Sequence, residues 1–453
     1  MNFNNLNSVY FIGVGGIGMS AVARYFNSKG LSVEGYDKTE TPLTNQLEKE
    51  GVKVHFEDDL SLVDMPLDLE KTLVVYTPAI PKNHSELNEL KSRGFNVVKR
   101  SEALGIITEN AFSIGVAGTH GKTTTSSIVA HVLQDTGYGC NAFLGGIASN
   151  YNTNFLVSDK TDCTVVEADE YDRSFLTLSP NIAVITSMDA DHLDIYGDKS
   201  HLVESFNLYA DKLTDDGLLI LRKGLELNSY PKNVITYSAT EVADVYASNI
   251  RIENGDFVFD LNGKINQENI KLGLPGIHNI ENALAAIITA DYLKIELDKI
   301  WAALKSFKGV KRRFDVHVKN EKHVYIDDYA HHPTEIDACL KSVKTMFPSK
   351  KITGVFQPHL FSRTKDFVDE FADSLSVLDE LILLDIYPAR ELPMEGVDSN
   401  WLASKIDIKN KVVCPLNKGL EEVKSKELEV LVTLGAGDID TLVKPIKEFL
   451  ENA

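Results

Sequence analysis

The chain has 453 residues, with 46 Lys+Arg against 66 Asp+Glu and a formal charge of −20. At about 150 residues per domain this length predicts roughly three domains, and 43% hydrophobic with 25% charged residues is ordinary globular composition. The acidic balance excludes a protein that grips nucleic acid through a basic face, but it leaves room for anionic small ligands captured by a few local cations. Cys140, Cys163, Cys339 and Cys414 are widely spaced and form no CxxC pair, which fits a reducing cytosol and neither a disulfide framework nor a zinc cluster. No run approaches the ~18 apolar residues needed to span a bilayer. MNFNNLNSVYFIG lacks the basic start and apolar core of a signal peptide, so a cytoplasmic protein with no membrane partner is expected.

Short apolar runs alternate with helical patterns along the chain, which predicts an α/β architecture with parallel sheets. Residues 8–13 read as a strand running into GVGGIG, followed by a helix over about 19–29 and a second strand over 31–36 ending at Asp37. Gly13, Gly15, Gly16 and Gly18 with an acid some twenty residues on match the pattern that lays a diphosphate on a helix N-terminus and a carboxylate on a ribose. NAD and a nucleotide-sugar diphosphate both satisfy that chemistry. Further strands fall at 72–76 and 96–99, and the first unit closes near Thr108.

The second unit opens with AFSIGVAGTHGKTTT: a strand, a glycine-bearing loop and a helix to about Gln134. Gly118 and Gly121 let the backbone turn tightly, so the N–H groups from Gly115 through Thr119, His120 and Thr124 can face phosphate oxygens. Lys122 would add charge at the terminal phosphates and the Thr123 hydroxyl would face Mg²⁺. Strands over 164–169 and 181–187 deliver Glu167 and His192 at their C-terminal ends, where α/β ligands bind, and both are candidate metal ligands. Residues 218–261 turn to short alternating runs that predict antiparallel strands, and PGIHNIENALAAIITADYL is a helix entered at Pro275 and Gly276.

A third unit begins around Arg312, with strands at HVYIDDYA, KITGVF, ELILLDIY and EVLVTLGA. Neighbouring strand residues point to opposite faces, so Asp327, Asp328, His331 and His332 cannot easily share one ion. Asp328 is expected to meet a ribose or a backbone group, one of the two histidines to face the reaction centre, and Arg363 in QPHLFSRT to fork a carboxylate or phosphate.

Together, GVGGIGMSAVA, AGTHGKTTTSS, EADEYDRSF, DADHLDIYGD, PGIHNIENALAA, KRRFD, DDYAHHPTE, QPHLFSRT, DIYPARE and LGAGDID resemble the muropeptide ligase family, in order and over almost the whole chain. The resemblance implies three α/β domains: a UDP-sugar-binding Rossmann-like domain over 1–107, a central P-loop ATPase-type domain over 108–311, and a Rossmann-like amino-acid-binding domain over 312–453. It reads the first glycine loop, with Asp37, as a UDP-diphosphate site rather than an NAD site.

The implied activity is ATP-dependent joining of L-alanine to the lactyl carboxylate of UDP-N-acetylmuramate through an acyl phosphate, in peptidoglycan precursor synthesis, by a monomer or homodimer. Lys122 would then meet the ATP phosphates, with Thr123, Glu167 and His192 near Mg²⁺. His278, Asn279, Asn282, Arg313 and Asp328 would hold the nucleotide, and Tyr329, His331, His332 and Arg363 would surround alanine and the muramoyl carboxylate. His331 or His332 would take the amine proton, and the third domain would close over the second to exclude water. Leu360 stands where many relatives carry Arg, which leaves Arg363 more to do, and no lysine is assigned a carbamate. A relative that attaches an intact tripeptide shares GTHGKTTT, EADEYD and AHHPT, whereas GVGGIGMS and LGAGDID favour the alanine-adding kind. An NAD oxidoreductase and a nucleotide-switched regulator are the readings from other classes.

Overall fold

The computed structural model describes residues 6–109, 111–189, 193–253, 256–389 and 391–452; His192 lies outside the described residues. The architecture is α/β, built on three sheets.

The first sheet comprises β1 (Ser8–Ile12), β2 (Ser32–Tyr36), β3 (Lys53–His55), β4 (Thr72–Tyr76) and β5 (Asn96–Lys99), in the order β3-β2-β1-β4-β5 with every pair parallel. The SVYFI of β1 is buried throughout, as a central parallel strand covered on both faces must be. Its period-two alternation sends Val9 and Phe11 to the helix Ile17–Ser28, where they meet Val22 and Phe26, and sends Tyr10 and Ile12 to a second core with Val74 and Leu90. Gly13 ends the strand at φ +89°, and a Cβ there would lie 2.5 Å from Thr77 Cγ2, so the turn requires glycine.

The second sheet comprises β6 (Ser113–Ala117), β7 (Asn141–Ala148), β8 (Thr153–Leu156), β9 (Thr164–Glu167), β10 (Ile182–Ile185), β11 (Leu218–Arg222), β12 (Asn233–Ser238), β13 (Val245–Glu253), β14 (Asp256–Gly263) and β15 (Gln267–Leu272). Its order is β15-β14-β13-β12-β11-β10-β6-β9-β7-β8, so β6 runs parallel between β9 and β10. The antiparallel expectation for 218–261 fails at its start, because β10–β11, β11–β12 and β12–β13 all pair parallel. LLILR is a continuous apolar run that the sheet buries, and that pattern suits a parallel strand better than a half-wet hairpin.

The first and second sheets are tied together. Asn154, fully buried on β8, accepts from Arg24 Nη1 at 2.5 Å and donates to the Ile17 carbonyl, while the Thr177 hydroxyl donates to Ser101 O at 2.9 Å.

The third sheet comprises β16 (Asp315–Lys319), β17 (Val324–Asp328), β18 (Ile352–Phe356), β19 (Glu380–Leu384), β20 (Lys411–Cys414) and β21 (Val430–Leu434), in the order β16-β17-β21-β18-β19-β20. The four expected strands are present. The two edge strands, β16 and β20, were not expected; they are short and only partly buried, so their apolar signal is weak. Two compact units partition the chain: Met1–Ser248 with Leu261–Glu268 and Glu281–Phe307, and Asn249–Asp260 with Asn269–Ile280 and Lys308–Ala453. Cys140, Cys163, Cys339 and Cys414 are free and buried. Among the described residues no helix is long and apolar enough to cross a membrane.

Candidate active site

β6 delivers the phosphate loop and the helix Lys122–Asp135 carries it away. Gly118 takes φ +140° beneath β10's exit, where a Cβ would fall 2.0 Å from Thr186 Oγ1 and 2.8 Å from Ser187 N. Side chains from that exit hold the loop's shape: His120 N donates to Ser187 Oγ at 2.7 Å, and the Thr186 hydroxyl donates to His120 O at 2.5 Å. Thr119 Oγ1 lies 3.0 Å from Ser187 Oγ and accepts from Asp189 N at 3.0 Å. Asn282 packs on the far side; its Oδ1 accepts from Thr125 Oγ1 at 3.0 Å and would stand 2.8 Å from a Cβ on Gly121. Gly118→Ala is therefore expected to cost at least about 2 kcal/mol of stability and to abolish nucleotide binding, read as a lower melting midpoint and a flat ATP titration.

Lys122 is largely buried and donates to Gly118 O at 2.6 Å, while its ammonium lies 2.7 Å from Glu170 Oε2, a carboxylate with no exposure. Burial alone would lower this ammonium, but Glu170, Asp169 and Glu167 outweigh it and raise its pKa. Thr123 donates to Glu167 Oε1 at 3.0 Å, and Gly145 N donates to Glu167 Oε2 at 2.9 Å. The register that pairs Val116 with Glu167 brings the carboxylate beside the loop, and the two hard oxygens suit a hard cation. Thr124 is buried in the first turn of the helix, and Gly115 lies within β6, beneath the hydroxyl of Tyr209 rather than in the loop.

An open cleft of about 290 Å³ runs from the first glycine loop to Glu167 and Asp169. Gly16 and Gly18 line one wall, Leu144, Gly145, Glu167 and Asp169 the other. Arg100 lies over Gly18, whose Cβ would come 2.9 Å from Nη1, and its Nη2 stands 3.9 Å from Asp169 Oδ2. Asp37 Oδ2 accepts from Gly15 N at 2.7 Å, so an anionic oxygen already occupies one of the amides that the glycine pattern reserved for diphosphate. Arg100 and Glu170 were not singled out from the sequence. Arg100 follows Lys99 at the start of a helix, and Glu170 is the last acid of EADE; neither carries a motif of its own.

In the third sheet, His331, His359, Tyr329, Arg313 and Glu335 gather at the C-terminal ends of β17 and β18. His331 Nδ1 lies 3.2 Å from Glu335 Oε2, its ring is 5.7 Å from that of His359, and His359 stacks on Tyr387 at 5.6 Å. The Arg313 guanidinium sits 5.0 Å from the Tyr329 ring centre and 3.7 Å from Glu335 Oε1. His359 was quoted within a motif but given no role. Arg363 is buried on the helix Phe361–Asp366 that follows Leu360, a residue held at φ +70°.

Several of the expected residues are engaged locally. His332 caps the helix Pro333–Met346 through Nδ1, which accepts from Thr334 N at 3.3 Å, and its ring packs 4.8 Å from Phe367. Asp328, buried, accepts from Phe314 N and Ala330 N, each at 2.7 Å, and so meets backbone groups, one of the two expectations for it; burial pushes its pKa up to about 6 against the pull of Arg313. Asn279 is turned to its own helix entry, donating to Pro275 O at 2.7 Å, and His278 Nδ1 lies 3.5 Å from Ser342 Oγ.

Family models for the Mur ligase catalytic domain, middle domain and glutamate ligase domain match residues 8–111, 116–290 and 312–438. The UDP-N-acetylmuramate–L-alanine ligase of Flavobacterium psychrophilum is 52% identical over 452 residues, covering 100% of both chains. The crystal structure of the UDP-N-acetylmuramate–alanine ligase of Thermotoga maritima superposes with a TM-score of 0.82 at 27% identity, covering 98% of this chain and 100% of that one. A murein peptide ligase of Psychrobacter arcticus shares the fold at a TM-score of 0.71 and 21% identity, covering 98% and 99%. With three domain models in order and a full-length relative at this identity, the chain belongs to the Mur ligase family.

Proposed function

We propose that this chain joins L-alanine to the lactyl carboxylate of UDP-N-acetylmuramate at the expense of ATP, giving ADP and phosphate, with domains bounded near 107 and 311. The observation that carries the reading is the cleft that runs from the first glycine loop to Glu167, the carboxylate that accepts from Thr123 of the second glycine loop. An NAD enzyme built on the first loop has no need of a second glycine loop that carries Lys122 and Thr123. Relatives matching over the full length carry the corresponding name.

Amide formation from a carboxylate is uphill in water because oxide is a very poor leaving group. Phosphorylating the carboxylate makes phosphate the leaving group, and the alanine amine then attacks the acyl carbon. Two anions must first come together. Lys122 and the loop amides take the triphosphate, while Arg100, over the first glycine loop, is suited to the sugar's diphosphate or carboxylate. Thr123 and Glu167 would hold Mg²⁺, which supplies charge neutralisation at the phosphates when bound. The incoming amine needs a free lone pair, and His331, oriented by Glu335, would accept its proton, with Arg363 for the alanine carboxylate.

Phosphate release from purified protein with Mg-ATP and UDP-N-acetylmuramate tests the reading. Turnover is expected with L-alanine and little or none with the tripeptide; turnover with the tripeptide alone, or none with any amine, would overturn it.

A further inference from the structure

The face of the first sheet away from the helix Ile17–Ser28 carries a cluster of ionisable side chains that the ligation chemistry does not use. One ligand atom from each of Asp58, His84 and Glu86 lies within 4.8 Å of the other two. His84 and Glu86 are 5% and 1% exposed, whereas Asp58 stands at the rim. Two of the atoms here, His84 Nε2 and Glu86 Oε1, are buried without a hydrogen-bond partner. Buried polar atoms are rarely left unmatched, and the unmatched Glu86 Oε1 keeps a lone pair that a Lewis acid could take.

The surroundings hold these groups in place. Glu86 Oε2 accepts the Tyr10 hydroxyl at 2.5 Å, which leaves Oε1 as the outward lone pair, 3.6 Å from His55 Nε2. Asp58 accepts from Ser85 N at 2.8 Å and Glu86 N at 3.0 Å, so its carboxylate cannot swing away into solvent. Asp58 Oδ1 and His84 Nδ1, which also accepts from Leu87 N at 3.4 Å, are 3.1 Å apart, close to the ~3.4 Å edge between two donors held ~2.1 Å from one tetrahedral ion. Burial raises the Glu86 carboxyl to about 7, against the Tyr10 hydrogen bond and with the charge of Asp58 adding to it.

We propose that Asp58, His84 and Glu86 form a site for one divalent transition-metal ion of the zinc type. An imidazole with two carboxylates selects such an ion over Mg²⁺, which prefers an all-oxygen shell and keeps its waters. The site is separate from the cation pair Thr123–Glu167 and needs no nucleotide. It would clamp the loop after β3 to the start of the helix Ser85–Ser92. The Tyr36 ring, 4.6 Å from that of His84, connects it to Asp37 and the first glycine loop.

The test uses the full chain, stripped of metal by chelation and free of nucleotide. Crystals soaked in ZnCl₂ and measured on both sides of the zinc edge should show an anomalous peak bonded to Asp58, His84 and Glu86. Co²⁺ titration should give a visible band at one equivalent, weakened at least about 10²-fold in apparent affinity by His84→Asn and by Glu86→Gln. Zinc peaks found only elsewhere, for example at His331 and His359, overturn the proposal, as do variant titrations that superimpose on the parent. The diffraction measurement needs no variant, so a His84→Asn chain that fails to fold does not rescue or sink it.

Discussion

Replacing Lys122 by alanine is expected to lower turnover by at least about 10³-fold while the affinity for UDP-N-acetylmuramate changes by no more than a few-fold. The ammonium is the cation anchored within the phosphate loop, 2.6 Å from Gly118 O, and the substitution also leaves Glu170 buried without its 2.7 Å partner. A negative charge facing incoming phosphates repels them, so the loss should exceed that of a donor simply deleted. Lys122→Ala/Glu170→Gln separates the two effects: the double variant should recover nucleotide binding relative to the single one, but not turnover. Calorimetry with ATP and with the UDP-sugar, alongside phosphate release, reads all three quantities. Loss of UDP-sugar binding in the single variant would refute the assignment of the first glycine loop to that ligand.

Glu167→Gln is expected to reduce turnover by about 10²–10³-fold and to raise the Mg²⁺ concentration needed for half-maximal rate. The amide keeps one oxygen for Thr123 or Gly145 but loses the charge that a hard cation requires. The fold should be unaffected, because Glu167 sits at the rim of the cleft. The decisive measurement is the Mg²⁺ dependence at saturating ATP: a fall in rate with an unchanged Mg²⁺ midpoint would remove Glu167 from the cation site.

Much of this molecule is legible in its sequence because strong local signals coincide with the ends of parallel strands. SIGVA followed by GTHGKTT names a strand, a turn and a helix start together, and the structure places all three within two residues of that reading. The cleft was not legible to the same degree. Arg100 reaches Gly18 across 82 residues of sequence, and Glu170 meets Lys122 across 48, pairings that only the sheet order brings about.

His332 shows the converse. It belongs to a conspicuous polar motif, yet its Nδ1 accepts from a backbone amide, because the turn after β17 needs a cap. The antiparallel expectation beyond residue 218 failed because alternation seen in VYASNIRIE was extended back over LLILR, which does not alternate. The triad Asp58, His84 and Glu86 was invisible for a simpler reason: Asp58 is separated from the other two by strand β4, and none of the three sits in a recognisable spacing.

The Lys122–Glu170 contact also sets a threshold. An anion approaching the empty loop does not find a bare cation; it must displace a carboxylate tethered to the same scaffold and therefore present at high effective concentration. Inorganic phosphate, offering one group to a few amides, competes poorly against such a resident. A triphosphate engages the whole loop at once and can evict it, so the loop tends to ignore the abundant small anions of its surroundings and to respond to the one that carries a transferable end.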